Sequence, residues 1–286
     1  MSKTPNPEIA LVVHSCDRYQ LLYKGFEYFF AKYWPLDKEA YSYYFLTEKA
    51  DFNSNIFTNI KTGPGEWSDR LKNGLEQIPE KYVVYLQEDM WFTKPIQKDF
   101  LKKIAQFAID NSVKLVKLNS SEVYKTAPSG THINGLSVSI LDNAASDFLM
   151  SHQVSLWDKA FLTEQLRQNE HPWRNERKGT KRLRKLNPLI HHVDLLSENN
   201  KPPINQNADD SLQSRYFTVS VNAMLNSHIR HFIEELKSDK LPAYTEYINK
   251  LQHNYDHKIT HDGKKKPRKE STFKKLKNSV KRLFNN

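Results

Sequence analysis

The chain has 286 residues, a formal net charge of +10, 38% hydrophobic and 12% aromatic residues, and a single cysteine. That length is enough for one large or two small domains with a real core, and a lone Cys16 excludes an internal disulfide framework and fits a reducing compartment. No apolar run approaches the ~18 residues of a membrane span, and the polar opening MSKTPNPEIA has no secretory leader pattern, so a cytosolic protein, or one held to a membrane from the cytosolic side, is expected.

Residues 8–14 (EIALVVH) predict a first buried strand. Asp17 is placed to cap a helix running to about Tyr33, with Leu21, Leu22, Phe26, Phe29 and Phe30 as its apolar stripe and Trp34-Pro35 as its stop. Strands over 41–47 and 56–61 follow, and Gly63-Pro64-Gly65 turns the chain into a helix from Trp67, with Leu71, Leu75 and Ile78 on its apolar face. Val83, Val84 and Leu86, set between aromatic residues, read as a strand covered on both faces. Gln87, Glu88 and Asp89 then stand at the carboxyl end of a central strand, where open α/β sheets bind ligands.

Pro95 opens a loop before a helix over 98–110, and strands are expected over 113–118 and 136–141. Helices over 143–151 and 156–167 come next, then a basic loop over 174–185, a strand over 189–195 and a polar loop over 198–210. Residues 214–221 fit a strand or a loop, and helices are expected over 225–236 and 243–256. Strands alternating with helices predict an α/β fold: a mainly parallel sheet flanked by helices, with a helical C-terminal region.

Two groups of residues suit a site. Ser68, Asp69, Arg70 and Asn73 lie near a helix N-terminus, which favours a phosphate or a sugar hydroxyl; the alternative is an ordinary amphipathic helix with a surface arginine. Asp89 suits a divalent cation bridging phosphate oxygens, whereas Gln87 can only hydrogen-bond.

In combination these features resemble a family. A buried strand followed by Asp17-Arg18, the run Arg70-Leu71-Lys72-Asn73-Gly74-Leu75, and YVVYLQEDMWF are similar to nucleotide-sugar glycosyltransferases of the GT-A fold, in particular bacterial ones that build surface polysaccharide or lipopolysaccharide. The resemblance continues through Gln153-Val154-Ser155-Leu156-Trp157 and Glu170-His171-Pro172-Trp173-Arg174-Asn175-Glu176, covering roughly residues 8–180. It implies a GT-A-like (Rossmann-like) domain over 1–262, with a donor half over 8–118 and an acceptor half over 119–262. It also implies a nucleoside diphosphate sugar as donor, UDP-sugar favoured, and a glycan or lipid-linked glycan as acceptor. By the same resemblance Asp17 lies near the base, Arg70, Asn73 and Glu88 near the donor, Gln87 at the ribose, and Asp89 at the diphosphate or its Mn2+ or Mg2+. Gln87 stands where the family usually has Asp, which leaves metal-independent catalysis open beside the metal-dependent kind.

Sugar transfer with inversion needs a carboxylate to take the acceptor's proton, and Glu170 and Glu176 are the candidates. Glu170 is favoured, because its Glu-x-x-Trp spacing is similar to the base-bearing segment of some metal-independent inverting N-acetylglucosaminyltransferases. Trp173 suits stacking on an acceptor sugar or plain packing. The cations that follow, among them Arg174, Arg177 and Lys178, suit a leaving diphosphate, an anionic acceptor, a membrane or a solvated surface.

The charge itself sits in the tail. Ten basic residues and one acid lie in residues 264–286, which leaves +1 for residues 1–263. Phe273, Leu276, Val280, Leu283 and Phe284 share one helical face there and Lys274, Lys275, Lys281 and Arg282 lie among them, the pattern of an in-plane helix on an anionic membrane. A peripheral protein on the inner face of the cell membrane is therefore expected, with residues 263–286 as its attachment. No nucleic acid is expected, since the body is nearly neutral and the tail's apolar face is superfluous for phosphate binding.

Overall fold

The apolar run at residues 9–14 forms β1 (Ile9–His14), and every residue in it is buried. In the computed structural model, which describes residues 8–97, 99–205 and 212–265, β1 lies between β2 (Tyr41–Thr47) and β4 (Tyr82–Gln87) and runs parallel to both. Strand β3 (Thr58–Lys61) adds to the outer side of β2, again parallel. The tail face containing Phe273, Leu276 and Phe284 falls outside the described residues.

Successive residues of these strands serve opposite layers, as a period of two requires. Ala10, Val12, Leu46, Val83 and Tyr85 share a core with Trp67, Leu71 and Leu75 of α2 (Trp67–Glu76), and with Ile78 beyond it. Gly74 lets α2 approach closely: a Cβ there would come within 2.5 Å of Leu46. On the other face, Phe26 and Phe30 of α1 (Gln20–Tyr33) pack against Phe45 and Phe57, and Trp34 stacks on Phe30. Much of the aromatic content is thus core packing.

Beyond β4 the sheet continues through β9 (Ser155–Asp158), β6 (Leu115–Asn119), β10 (Ile190–Glu198), β11 (Ser214–Thr218) and β5 (Met90–Lys94). β3, β2, β1, β4, β6, β10 and β11 point one way, while β9 and β5 run against their neighbours. Helix α3 (Phe100–Asp110) precedes β6, and the hairpin of β7 (Thr126–Ile133) and β8 (Leu136–Leu141) pairs with β10. The result is a mainly parallel, Rossmann-like mixed sheet with flanking helices.

Four expectations change. Residues 156–167 are not one helix, because β9 claims the first of them. Its Asp158 carboxylate then accepts the Phe161 N–H at 2.8 Å and starts α4 (Lys159–Gln165). Residues 143–151 hold no helix; Asp142 turns the chain by accepting N–H groups from Ala144 and Ala145. Residues 174–185 are not a loop but most of α5 (Pro172–Leu186), which begins on a proline and ends at Asn187 in the left-handed region (φ 49°). β5 and β7 were not expected at all.

The chain divides into two compact units, Met1–Val221 and Asn222–Asn286. In the second, α6 (Ile229–Ser238) and α7 (Thr245–Asp256) pack on each other, burying Phe232, Ile233 and Leu236 of one and Leu251 of the other. Among the described residues no helix is long and apolar enough to cross a membrane.

Candidate active site

At β1 the sheet changes direction: β2 and β3 extend one way, β4 and the later strands the other. The crevice outside the carboxyl ends of strands at such a switch is where open α/β sheets take ligands. Ser15, Cys16 and Asp17 follow β1 here, and Glu88 and Asp89 follow β4.

The first of these segments is held by a closed network. Asp17 does not cap α1. Its carboxylate accepts the N–H groups of Glu48, Lys49 and Ala50, each at 3.0 Å, and so fixes the loop after β2. Glu48 accepts the Asp17 N–H at 3.2 Å and lies 3.4 Å from Arg70 Nε. Buried Arg70 also donates to the Ser15 carbonyl at 2.8 Å, tying α2 to the β1 end. Exposed Asn73 points elsewhere and donates to the Thr62 carbonyl at 3.3 Å. Cys16 is not reactive, since burial pushes its thiol up to about 12.

The second segment carries strained charge. Burial and the neighbouring Asp89 push the buried Glu88 carboxyl well above the usual range. Burial, reinforced by Glu198, lifts Asp89 to about 7. Gln87, at the strand's last position, is partly exposed. Glu198 ends β10 and sits within ionic range of Lys201, at 3.7 Å.

Around these acids the other strands contribute groups that no sequence pattern marked. Lys117, in the middle of β6, is fully buried; its Nζ donates to Ser151 Oγ at 2.8 Å and lies 5.8 and 5.7 Å from the Tyr124 and Trp157 ring centres. Burial lowers it to about 7, against the pull of Glu176. His152 packs on Trp67 with ring centres 4.1 Å apart, and burial lowers it to about 3. His14, at the end of β1, is buried between Trp67 and Tyr85 with neither ring nitrogen hydrogen-bonded. Tyr216 donates to Gln153 Oε1 at 2.6 Å. The Tyr85 phenol is raised first by burial and then by the charges of Glu88, Glu176 and Asp89.

The two candidate bases differ. Glu170 is buried and committed: its carboxylate accepts from Asn175 Nδ2 at 2.7 Å and from Arg182 at 3.2 and 3.1 Å. Its backbone N–H donates to Ser68 Oγ at 2.9 Å. Burial works to raise this carboxyl, but the bonds from Arg182 and Asn175 outweigh it and leave it lowered. Such a group ties α5 to the start of α2, and three of its about four acceptor positions are already taken. Glu176 is partly exposed, accepts the His152 N–H at 3.1 Å, and is raised by burial despite that bond and the charge of Lys117.

Helix α5 separates Glu176 from the cations near it. At 100° per residue Arg174 and Lys178 fall on the side opposite Glu176, and both are exposed, as are Arg177 and Trp173. Arg174 and Lys178 thus point away from Glu176, whereas Trp173, three positions before it, lies about 60° from it around the helix. Among the described residues no group of three or more His, Cys, Asp or Glu side chains is arranged to hold a metal ion.

No protein-family model and no curated protein matches the chain. Among solved structures, residues 1–349 of S. aureus TarS align with a TM-score of 0.47 and 11% identity, over 87% of this chain and 71% of that one. The same segment in complex with UDP-GlcNAc aligns at 0.46 and 10% identity, over 87% and 72%. Glucosyl-3-phosphoglycerate synthase from Mycobacterium tuberculosis, in complex with phosphoglyceric acid, aligns at 0.29 and 12% identity, over 40% and 44%. Likenesses of this size carry no argument about chemistry, which rests on the site's own residues.

Proposed function

We propose that this chain is a GT-A-type glycosyltransferase that moves a sugar from a nucleoside diphosphate sugar, UDP-sugar favoured, to a glycan or lipid-linked glycan of the cell surface. The observation that carries this reading is the switch-point crevice, where the hydrogen-bonded segment after β1 and two carboxylates raised by burial and by neighbouring acids stand at adjacent strand ends. The Asp17–Glu48–Arg70 network supports the loop that faces the nucleotide, and Gln87 meets the ribose by hydrogen bonding. Glu88 and Asp89 meet the diphosphate end.

The donor set also fits a divalent cation. Asp89 and Glu198 are oxygen ligands whose repulsion a cation would relieve, and Mn2+ or Mg2+ commonly takes its remaining ligands from phosphate and water. When bound, the ion would neutralise charge on the departing diphosphate.

Glu176 is the group that accepts the acceptor hydroxyl's proton as the donor's sugar–phosphate bond breaks and the new glycosidic bond forms. A carboxylate raised by burial holds a proton more readily than a salt-bridged one, and the charge of Lys117 offsets part of that rise. A single base of this kind fits inversion. The basic tail, by its sequence, holds the enzyme to the inner face of the membrane. A thermal-shift screen of nucleoside diphosphate sugars, each with and without manganese, tests the donor assignment. Stabilisation by a UDP-sugar is expected, and no stabilisation by any nucleotide would overturn it.

A further inference from the structure

Helix α5 has a second face that the transfer chemistry does not use. Asn175, Gly179, Thr180 and Leu183 face the core, and a Cβ on Gly179 would come within 2.6 Å of Met150. Arg174, Arg177, Lys178, Lys181, Arg184 and Lys185 are all exposed and fall within about 120° of one another around the helix. No acid of α5 lies among them; the nearest recorded is Asp147, 3.7 Å from Arg184.

The apolar surface supplies an independent observation. Seven large hydrophobic side chains are strongly exposed among the described residues, and four of them border this face. Trp173 is 62% exposed at its start, and Leu186 (61%) and Leu189 (56%) lie at its end. Phe148 (46%) belongs to the neighbouring segment that Arg184 grips through the Ser146 carbonyl at 2.8 Å. Apolar side chains around a cationic stripe match the headgroup–acyl boundary of a bilayer, where both kinds of group are satisfied together. A soluble polyanion would engage the cations and leave the apolar rim wet. The chain's own tail is a poor cover, because residues 264–286 carry ten basic residues and one acid.

We infer that the outer face of α5 docks on an anionic lipid surface, as a folded contact separate from the tail. The inference stands whatever reaction the crevice performs. Because Glu176 projects from the opposite side of the same helix, docking would hold the crevice near acceptors carried in that surface.

Tryptophan reads this contact directly. Trp34, Trp67, Trp91 and Trp157 are buried, so among the five tryptophans Trp173 alone is open to a quencher in the membrane. The full chain is mixed with vesicles of phosphatidylcholine containing brominated phosphatidylglycerol, and fluorescence and co-sedimentation are recorded. Quenching is expected with anionic vesicles, and its loss in Trp173→Phe although that variant still sediments with them. The triple variant Arg177→Glu, Lys181→Glu, Lys185→Glu should weaken partition at least tenfold, since each charge near the surface contributes about fivefold. Sedimentation without Trp173 quenching, with the triple variant unaffected, would assign binding to the tail alone and overturn the inference. Loss of binding to soluble polyphosphate in the triple variant, with vesicle binding intact, would overturn it in favour of a soluble polyanion.

Discussion

Glu170 and Glu176 are six positions apart, one just before α5 and one in its second turn, and the fold gives them opposite fates. Glu170 has the lower solvent exposure, yet its bonds from Arg182 and Asn175 keep it lowered. Glu176 is the more open, yet it has a single backbone donor and is raised. Solvent exposure alone therefore does not identify a raised carboxylate; desolvation of the carboxyl, set against the donors committed to it, does. The same contrast separates the two walls of the crevice. The β1 wall is closed by mutual bonds among Asp17, Glu48 and Arg70, whereas the β4 wall keeps acids that burial and neighbouring acids hold raised.

The largest expected effect lies on the committed side. Glu170→Gln removes one partner of a buried ion pair and should cost about 3 kcal/mol of stability in urea unfolding. Turnover per folded molecule should be kept, and lost turnover in a protein of undiminished stability would reverse the two assignments. On the raised side, Asp89→Asn should weaken donor binding about tenfold by titration calorimetry, while removing repulsion and leaving stability equal or higher. Unchanged donor affinity would take Asp89 out of the site.

The buried amine gives a pH-dependent prediction. Lys117 gives up its proton near pH 7 in the fold because burial opposes its charge, whereas an unfolded lysine holds its proton to about 10.4. Between those values the unfolded chain binds more protons, so this residue makes stability rise with pH from about 7 to about 10. Lys117→Met should remove that rise between pH 7 and 9 in urea unfolding, and an unaltered rise would contradict the burial of a lysine at this point. The smallest effect belongs to Asn73→Ala. Its exposed amide only meets the Thr62 carbonyl, so stability should change by less than about 0.5 kcal/mol and donor affinity should not move.

The sequence made one half of this site legible and hid the other. β1 and β4 were readable because strands buried on both faces need unbroken apolar runs, and the acids after β4 were conspicuous at the end of one. α2 was readable from its turn and its stripe. β9 was not, because SLWD runs straight into KAFLTEQ, and only pairing with β4 and β6 makes those residues a strand. α5 was hidden by its composition: seven cations in twelve positions obscure a packing face made of Asn175, Gly179, Thr180 and Leu183. Lys117, His152 and Glu198 were missed for another reason. Each reads locally as an ordinary polar position, and its burial comes from distant strands and helices that no local period reports. The preference for Glu170 over Glu176 rested on spacing alone, and the grip of Arg182 and Asn175 on Glu170 is seen only once α5 is folded.

The most direct test is UDP release by the purified full chain of Glu176→Gln, given a UDP-sugar and a lipid-linked glycan acceptor, beside the wild type and Glu170→Gln. Donor affinity in Glu176→Gln should stay within about twofold of wild type while turnover falls by about 10²–10⁴, the usual contribution of a general base. Full turnover in Glu176→Gln would contradict the assignment of the proton to this side of α5.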